Sequence, residues 1–438
     1  MGDKMGLLQD LEKYDEKIEE LAKKSNLDWF PIVYETCDYY EMIGNMAYHG
    51  MPTHYRHWSF GKSFERTHQL YNAGQTGLPY ELIINSNPSI AYLMEENPLY
   101  LQVLIMCHCV GHSDFFKNNA TFKNTNPDLV IGRMKNAKRY IDSLIEDPSI
   151  GIEKVEKILD AAHALSMQVP RKYKEYIPQK KQREKLIQEI RAGKFANDIL
   201  QPDPDIYPIN AEENLLAFIA DHSRSLEDWE REIINIVLED SYYFVPQIRT
   251  KIMNEGWASF WHYRLMHELD LPDGMHIPFI KMHNEVVRPH LGSVNPYHLG
   301  FFMFNKIEER FGLEECFIAR ESLNDESFLR QYLTEEDLQE LNYFSFSLQK
   351  KQYVVDDVSD SVGWKKIKED LIKQIGGNNI PLIYVDEVTS NDVLCLKHDH
   401  DGRDLELNYA DSVVNHIVTL WHGPVKLDTI IEEEHFEI

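Results

Sequence analysis

Leu7, Leu8, Leu11, Ile18 and Leu21 recur at the spacing of one helix face, with charged residues between them, so the chain is expected to open on an amphipathic helix. Pro31, suited to a first helical turn, predicts a second helix running to about Tyr48. Lys62 to Asn72 reads as a third. Tyr80-Glu81-Leu82-Ile83-Ile84 then reads as a short strand before the Asn85-Ser86-Asn87-Pro88 turn. Between Leu99 and about Lys117, after Pro98, Leu, Val, Ile and Met cover most of the helical circumference, which predicts a core helix. Helical periodicity returns at about 127–146, 151–168, 210–222, 226–247 and 248–269.

The texture changes near residue 349. Tyr353-Val354-Val355, Ile380 to Val385, Val393 to Lys397 and Leu405 to Asn408 read as short strands, with Asp401-Gly402 as a hairpin turn between the last two. Trp364 to Ile375 and Ala410 to Leu420 read as helices. The expected fold is therefore α+β: a mainly helical domain over 1–348 with a metallopeptidase-like helix pair, and a small α+β domain over 349–438.

Chemistry concentrates on the apolar helix. His108 and His112, four residues apart, share one face of it, and a buried imidazole needs a hydrogen-bond partner or a metal. Far downstream, Asn254-Glu255-Gly256-Trp257-Ala258-Ser259-Phe260-Trp261-His262 puts Glu255 and His262 on one face of another apolar helix. Two neutral imidazoles and one carboxylate make a normal zinc shell with an open fourth position. His108, His112 and Glu255 are the expected ligands of zinc or another divalent metal. His262 has three readings: a residue orienting a ligand, a catalytic contact to substrate, or a structural side chain.

A zinc peptidase of the His-Glu-x-x-His type carries its general base directly after the first histidine, and here that position is Cys109. The base must come from elsewhere, and Glu35 and Glu41 on the expected second helix, together with Glu81, are the candidates. Asp114 could orient a ligand histidine. Cys107 and Cys109 diverge by roughly 200° on the helix and cannot both face the histidines, so they read as core thiols. His54 to Phe64 mixes basic and aromatic groups too densely for a simple amphipathic element, and His57 and Lys62, with Trp257, are expected to line a substrate pocket. Gly61-Lys62-Ser63 resembles a phosphate loop, but Arg56 stands where that motif needs its upstream glycine. His398-Asp399-His400-Asp401 fits a polar turn better than a metal site.

The formal charge of −27, from 45 basic and 72 acidic side chains, argues against nucleic acid or anionic membrane as a partner, since both need a positive field. One stretch, 171–194, reverses the sign with nine basic residues against three acids and reads as a solvated arm, followed by the proline-bearing Asp203 to Pro208. Five scattered cysteines do not form a disulfide framework, and no uninterrupted apolar run reaches membrane-spanning length. A cytoplasmic protein is expected.

Several blocks together resemble the SpoVR family, stage V sporulation protein R and its relatives. They are Gly50-Met51-Pro52, His57 to Phe64, Tyr80 to Asn85, Gly111 to Asn119, Lys251 to Ala258 with Trp261-His262, and Asn295-Pro296-Tyr297 with Leu299-Gly300-Phe301. They span most of 30–305, and the tail resembles that family's smaller C-terminal domain. The resemblance implies a role in forming the spore cortex, a modified peptidoglycan, and a broader stress-related role in bacteria that do not sporulate. It also implies a PrkA-type serine kinase and a von Willebrand A-like protein as companions. The residues point to metal-assisted hydrolysis, and with what the resemblance implies, the expected substrate is an amide in a peptidoglycan precursor or a regulatory protein. The competing reading is a scaffold in which the histidines and Glu255 form a closed structural cluster.

Overall fold

A computed structural model describes residues 2–73, 81–170, 177, 179–195, 207–290, 293–349 and 352–438. Over the described residues it is a mainly helical α+β protein with three small sheets. Residues 171–176 and 203–206 of the basic and proline-bearing stretches, and Tyr80, lie outside the described residues. Two compact units divide the chain: residues 1–138 with 243–379, and 139–242 with 380–438. The sequence predicts a boundary near 348.

In the first unit the core gathers around the Leu99–Asn118 helix, hereafter the histidine helix. All sixteen residues from Leu101 to Phe116 are buried, as its all-round apolar surface predicts. The Lys251–Glu268 helix, hereafter the glutamate helix, packs against it, and the Pro296–Phe311 helix packs against the glutamate helix in turn.

Glycines set these approaches. A Cβ on Gly111 would lie 2.7 Å from Ala258 Cα, and one on Gly256 would lie 2.4 Å from the Gly300 backbone. The glutamate helix starts where it does because the buried Asp325 carboxylate accepts from the Ile252 and Met253 N–H groups, both at 2.9 Å. Those donors have no partner within the helix. Asp325→Ala is expected to cost about 1–2 kcal/mol, the loss of a strong cap, read as a lower urea midpoint at unchanged slope.

Residues 31–48 correct the expected second helix. Ile32–Cys37 is strand β1, and the helix begins only at Tyr39, behind a capping box in which Asp38 accepts from the Glu41 N–H and Glu41 accepts from the Asp38 N–H. Two further strands, β2 (Glu81–Ile84) and β3 (Ser89–Met94), complete a sheet of order β1-β3-β2, with β1 parallel and β2 antiparallel to β3. Only β2 was expected. The sheet packs on the histidine helix, where Ser113 Oγ donates to the Phe30 carbonyl at 3.0 Å.

The hairpin β4 (Phe344–Gln349) and β5 (Gln352–Val358) and the Trp364–Gln374 helix close the first unit. The tail in the second unit forms a four-stranded sheet in sequence order, β6 (Ile383–Val388), β7 (Leu394–His398), β8 (Val425–Ile431) and β9 (Glu434–Glu437). Two expectations fail there. Leu405 to Asn408 is not a strand, because Glu406 accepts from the Tyr409 N–H at 2.8 Å and caps a helix over Leu407–Trp421. Asp401-Gly402 is therefore no hairpin, and β7 pairs with β8 in parallel across that helix.

Candidate metal centre

Besides Cys107 and Cys109, five polar side chains on the histidine helix are buried, and each finds at least one partner. Gln102 donates to the Met94 carbonyl at 2.7 Å, and Ser113 is held as described. Asp114 accepts from the Asp28 N–H and from Trp257 Nε1, both at 2.8 Å, and lies 3.5 Å from Arg320 Nε. His112 Nδ1 meets Asn254 Oδ1 at 2.8 Å. That bond fixes the tautomer, since an amide oxygen accepts only: Nδ1 carries the hydrogen and Nε2 presents its lone pair. His108 is satisfied on one side alone. Its Nδ1 meets His262 Nδ1 at 2.8 Å, while its Nε2 is enclosed without a hydrogen-bond partner.

Both free Nε2 atoms face the same carboxylate. Glu255 Oε2 lies 3.3 Å from His112 Nε2 and 3.5 Å from His108 Nε2, and it too is enclosed without a hydrogen bond of good geometry. Glu81, at the start of β2, places Oε1 3.7 Å from His108 Nε2. The ligand atoms of Glu81, His108, His112 and Glu255 all lie within 4.8 Å of one another. Enclosed nitrogens and oxygens that converge without bonding one another have the spacing of ligands around a cation. Glu81 and Glu255 are also the least enclosed members, with side chains 12 % and 16 % exposed, so the carboxylate side meets solvent.

The two carboxyls are driven apart electrostatically. Burial raises Glu81 above its ordinary range, and His108 offsets this only in part. Burial also opposes charge on Glu255, but both imidazoles hold its carboxyl well below the usual range. His112 is raised in return: burial disfavours its charge, and Glu255 more than compensates. Tyr297, from the Pro296–Phe311 helix, stacks on His108 with ring centroids 6.0 Å apart. Burial and then the Glu255 and Glu81 charges push its hydroxyl well above the ordinary range.

The structure thus brings together His108, His112, Glu255 and Glu81, with His262 directly behind His108. The other expected residues lie elsewhere. Glu35 is exposed on β1, and Glu41 caps its own helix. His57 caps the Trp58–Asn72 helix, its Nδ1 2.7 Å from Ser59 Oγ. Lys62 is exposed beside the Trp58 ring. Trp257 is fully buried and donates to Asp114, so it belongs to the core and not to a substrate wall. The same bond occupies Asp114, which orients no histidine. Cys107 and Cys109 are buried thiols that burial holds well above their ordinary range. Sequence reasoning gave no site role to Asn254, Tyr297 or His283, although Asn254 adjoins Glu255 and Tyr297 falls within a block carrying the family resemblance.

Comparison with known proteins agrees with that resemblance. The family model described as SpoVR like protein matches residues 6–380, and the SpoVR-like C-terminal domain matches 379–432. A protein of Escherichia coli (strain K12), the uncharacterized protein YcgB, is 32 % identical over 480 residues, covering 98 % of this chain and 93 % of its own. No solved structure matches. With family matches running almost from end to end, the chain belongs to the SpoVR family.

Proposed function

We propose that the protein is a metal-dependent hydrolase of the sporulation class, acting on an amide in a peptidoglycan precursor or a regulatory protein. The observation that carries the metal site is the pair of enclosed, unbonded atoms His108 Nε2 and Glu255 Oε2 facing each other at 3.5 Å, with His112 Nε2 beside them. A closed structural cluster would join such atoms in hydrogen bonds instead. His108, His112 and Glu255 would hold a divalent ion of the zinc type, which when bound supplies Lewis acidity and lowers the pKa of a coordinated water.

The chain's own part follows from the divergence of its carboxyls. Glu255 stays ionised between the two imidazoles and serves as an anionic ligand. Glu81, raised by burial and open to solvent on one side, is the group placed to accept and return a proton. Tyr297 closes one wall over His108. Family membership supports the sporulation role, and the cortex substrate and the PrkA-type kinase and von Willebrand A-like companions belong to the same proposal.

Metal analysis of the purified protein tests this reading. The wild type is expected to carry close to one equivalent of a divalent transition metal after loading and dialysis, and His112→Ala to lose it. Less than about a tenth of an equivalent in the wild type, unchanged by His112→Ala, would establish the scaffold reading. Glu81→Gln is expected to keep its metal and lose about 100-fold or more in amide hydrolysis, measured as release of free amine. Full activity in that variant would remove Glu81 from the proton-handling role.

A further inference from the structure

Behind His108 lies a row of imidazoles. His108 Nδ1 meets His262 Nδ1 at 2.8 Å, and His262 Nε2 meets His283 Nδ1 at 2.8 Å. His262 lies on the glutamate helix and His283 on the Asp273–Val286 helix, and all three residues are at most 3 % exposed. The far nitrogen, His283 Nε2, has no protein hydrogen-bond partner among the described residues, nor is it one of the enclosed polar atoms, so it meets solvent.

A neutral imidazole has one N–H and one lone pair, so three of them joined by two hydrogen bonds have only two self-consistent arrangements. In one, every N–H points away from the cluster: His108 donates to His262, His262 donates to His283, and His283 Nε2–H faces solvent. His108 Nε2 then offers a lone pair to the cluster. In the other, every donor is reversed, and His108 Nε2 carries a hydrogen that blocks ligation.

We infer that His283, acting through His262, is a positioning residue that selects the ligating tautomer of His108, and that loading the site turns His283 Nε2 into a surface donor. The inference rests on the metal reading above. It differs from the usual arrangement, in which a carboxylate or backbone carbonyl accepts from the ligand histidine and can accept only. Here the acceptor is reversible, so the occupied site is coupled to the hydrogen-bonding character of an atom two rings away.

The test uses the full chain and zinc alone. In 15N-histidine-labelled wild type, zinc is expected to leave Nδ1 of His262 and His283 unprotonated and both Nε2 atoms protonated. His283→Phe is expected to weaken zinc binding about tenfold or more, the usual cost of removing a partner of a ligand histidine. His283→Gln, whose side-chain oxygen can accept from His262, is expected to recover most of it. Wild-type zinc binding with unchanged affinity in His283→Phe, no rescue by His283→Gln, or imidazole spectra indifferent to zinc would overturn the inference and leave the metal site standing. Absence of zinc binding in the wild type would remove both.

Discussion

Gly300→Ala will unfold the first unit at a markedly lower temperature than the wild type and will abolish metal binding with it. A methyl group there would lie 2.1 Å from the Ile252 carbonyl oxygen and 2.6 Å from Gly256 Cα. Both obstacles are backbone, and neither can rotate aside. The Pro296–Phe311 helix must therefore move off the glutamate helix, giving up contacts along a core that includes Met253, Trp257, Phe260, Met303 and Phe304. Overpacking of this kind costs about 3 kcal/mol or more, at the upper end for an added methylene because the backbone has to shift. For a unit of this size that corresponds to a fall of roughly 5 °C or more. Gly44→Ala is the control, a helical glycine with no atom within 4 Å of the added methyl, and it should gain about 0.5–1 kcal/mol. If Gly300→Ala melts within a degree of the wild type, the helix contact is looser than described.

The effect reaches the site because one helix serves two purposes. On the glutamate helix, Glu255, Ala258 and His262 point to the histidine helix while Gly256 seats the Pro296–Phe311 helix. On the histidine helix, Gly111 falls between His108 and His112 and meets Ala258. Small residues on both helices bring the imidazoles to the carboxylate, so packing and chemistry are set by the same spacing.

Much of this was legible because it is local. A spacing of four on an apolar helix is a statement about one face, and His108 and His112 do share that face, with ring centroids 4.5 Å apart. Glu255 followed from its apolar surroundings. Trp257 was misplaced although the same geometry was available: two residues beyond Glu255 on a helix is a turn of roughly 200°, which points it away from the ligands and into the core. Residues 31–37 misled for another reason. Pro31 suits a first helical turn, but it equally suits the start of an edge strand, and β1 is an edge strand whose partner β3 lies more than fifty residues on. With Ile32, Val33 and Thr36 β-branched, the segment favours a strand, yet only the tertiary pairing decides. His283 carried no signal at all: it stands on a separate helix, and only packing brings it to His262.

Glu255→Gln should have the largest effect on chemistry for the smallest change in shape. Gln keeps the volume and one oxygen but removes the negative charge of the proposed ligand, so affinity for zinc should fall about 100-fold or more. It should also weaken the site's response to pH. In the metal-free wild type, Glu255 is lowered from an ordinary value of 4.5 and His112 raised from 6.5. A lowered carboxyl contributes stability that is present above pH 4.5 and is lost as pH falls through its folded value. A raised imidazole contributes stability that is present below pH 6.5 and is lost as pH rises through its folded value. The metal-free pair is therefore most stabilising between those limits. Zinc needs His112 without its proton, so each zinc bound displaces that proton, and the stabilisation by zinc must grow as pH rises from 6 to 8. Thermal melts with and without zinc at the two pH values measure both trends. Without the Glu255 charge, the main influence raising His112 is gone and only Asn254 and Glu81 still oppose its burial, so in Glu255→Gln the metal-free protein should lose less of this contribution above pH 6.5. A variant that still gains stability from zinc, increasingly with pH and by the wild-type amount, would mean that the carboxylate between the two histidines is not a ligand.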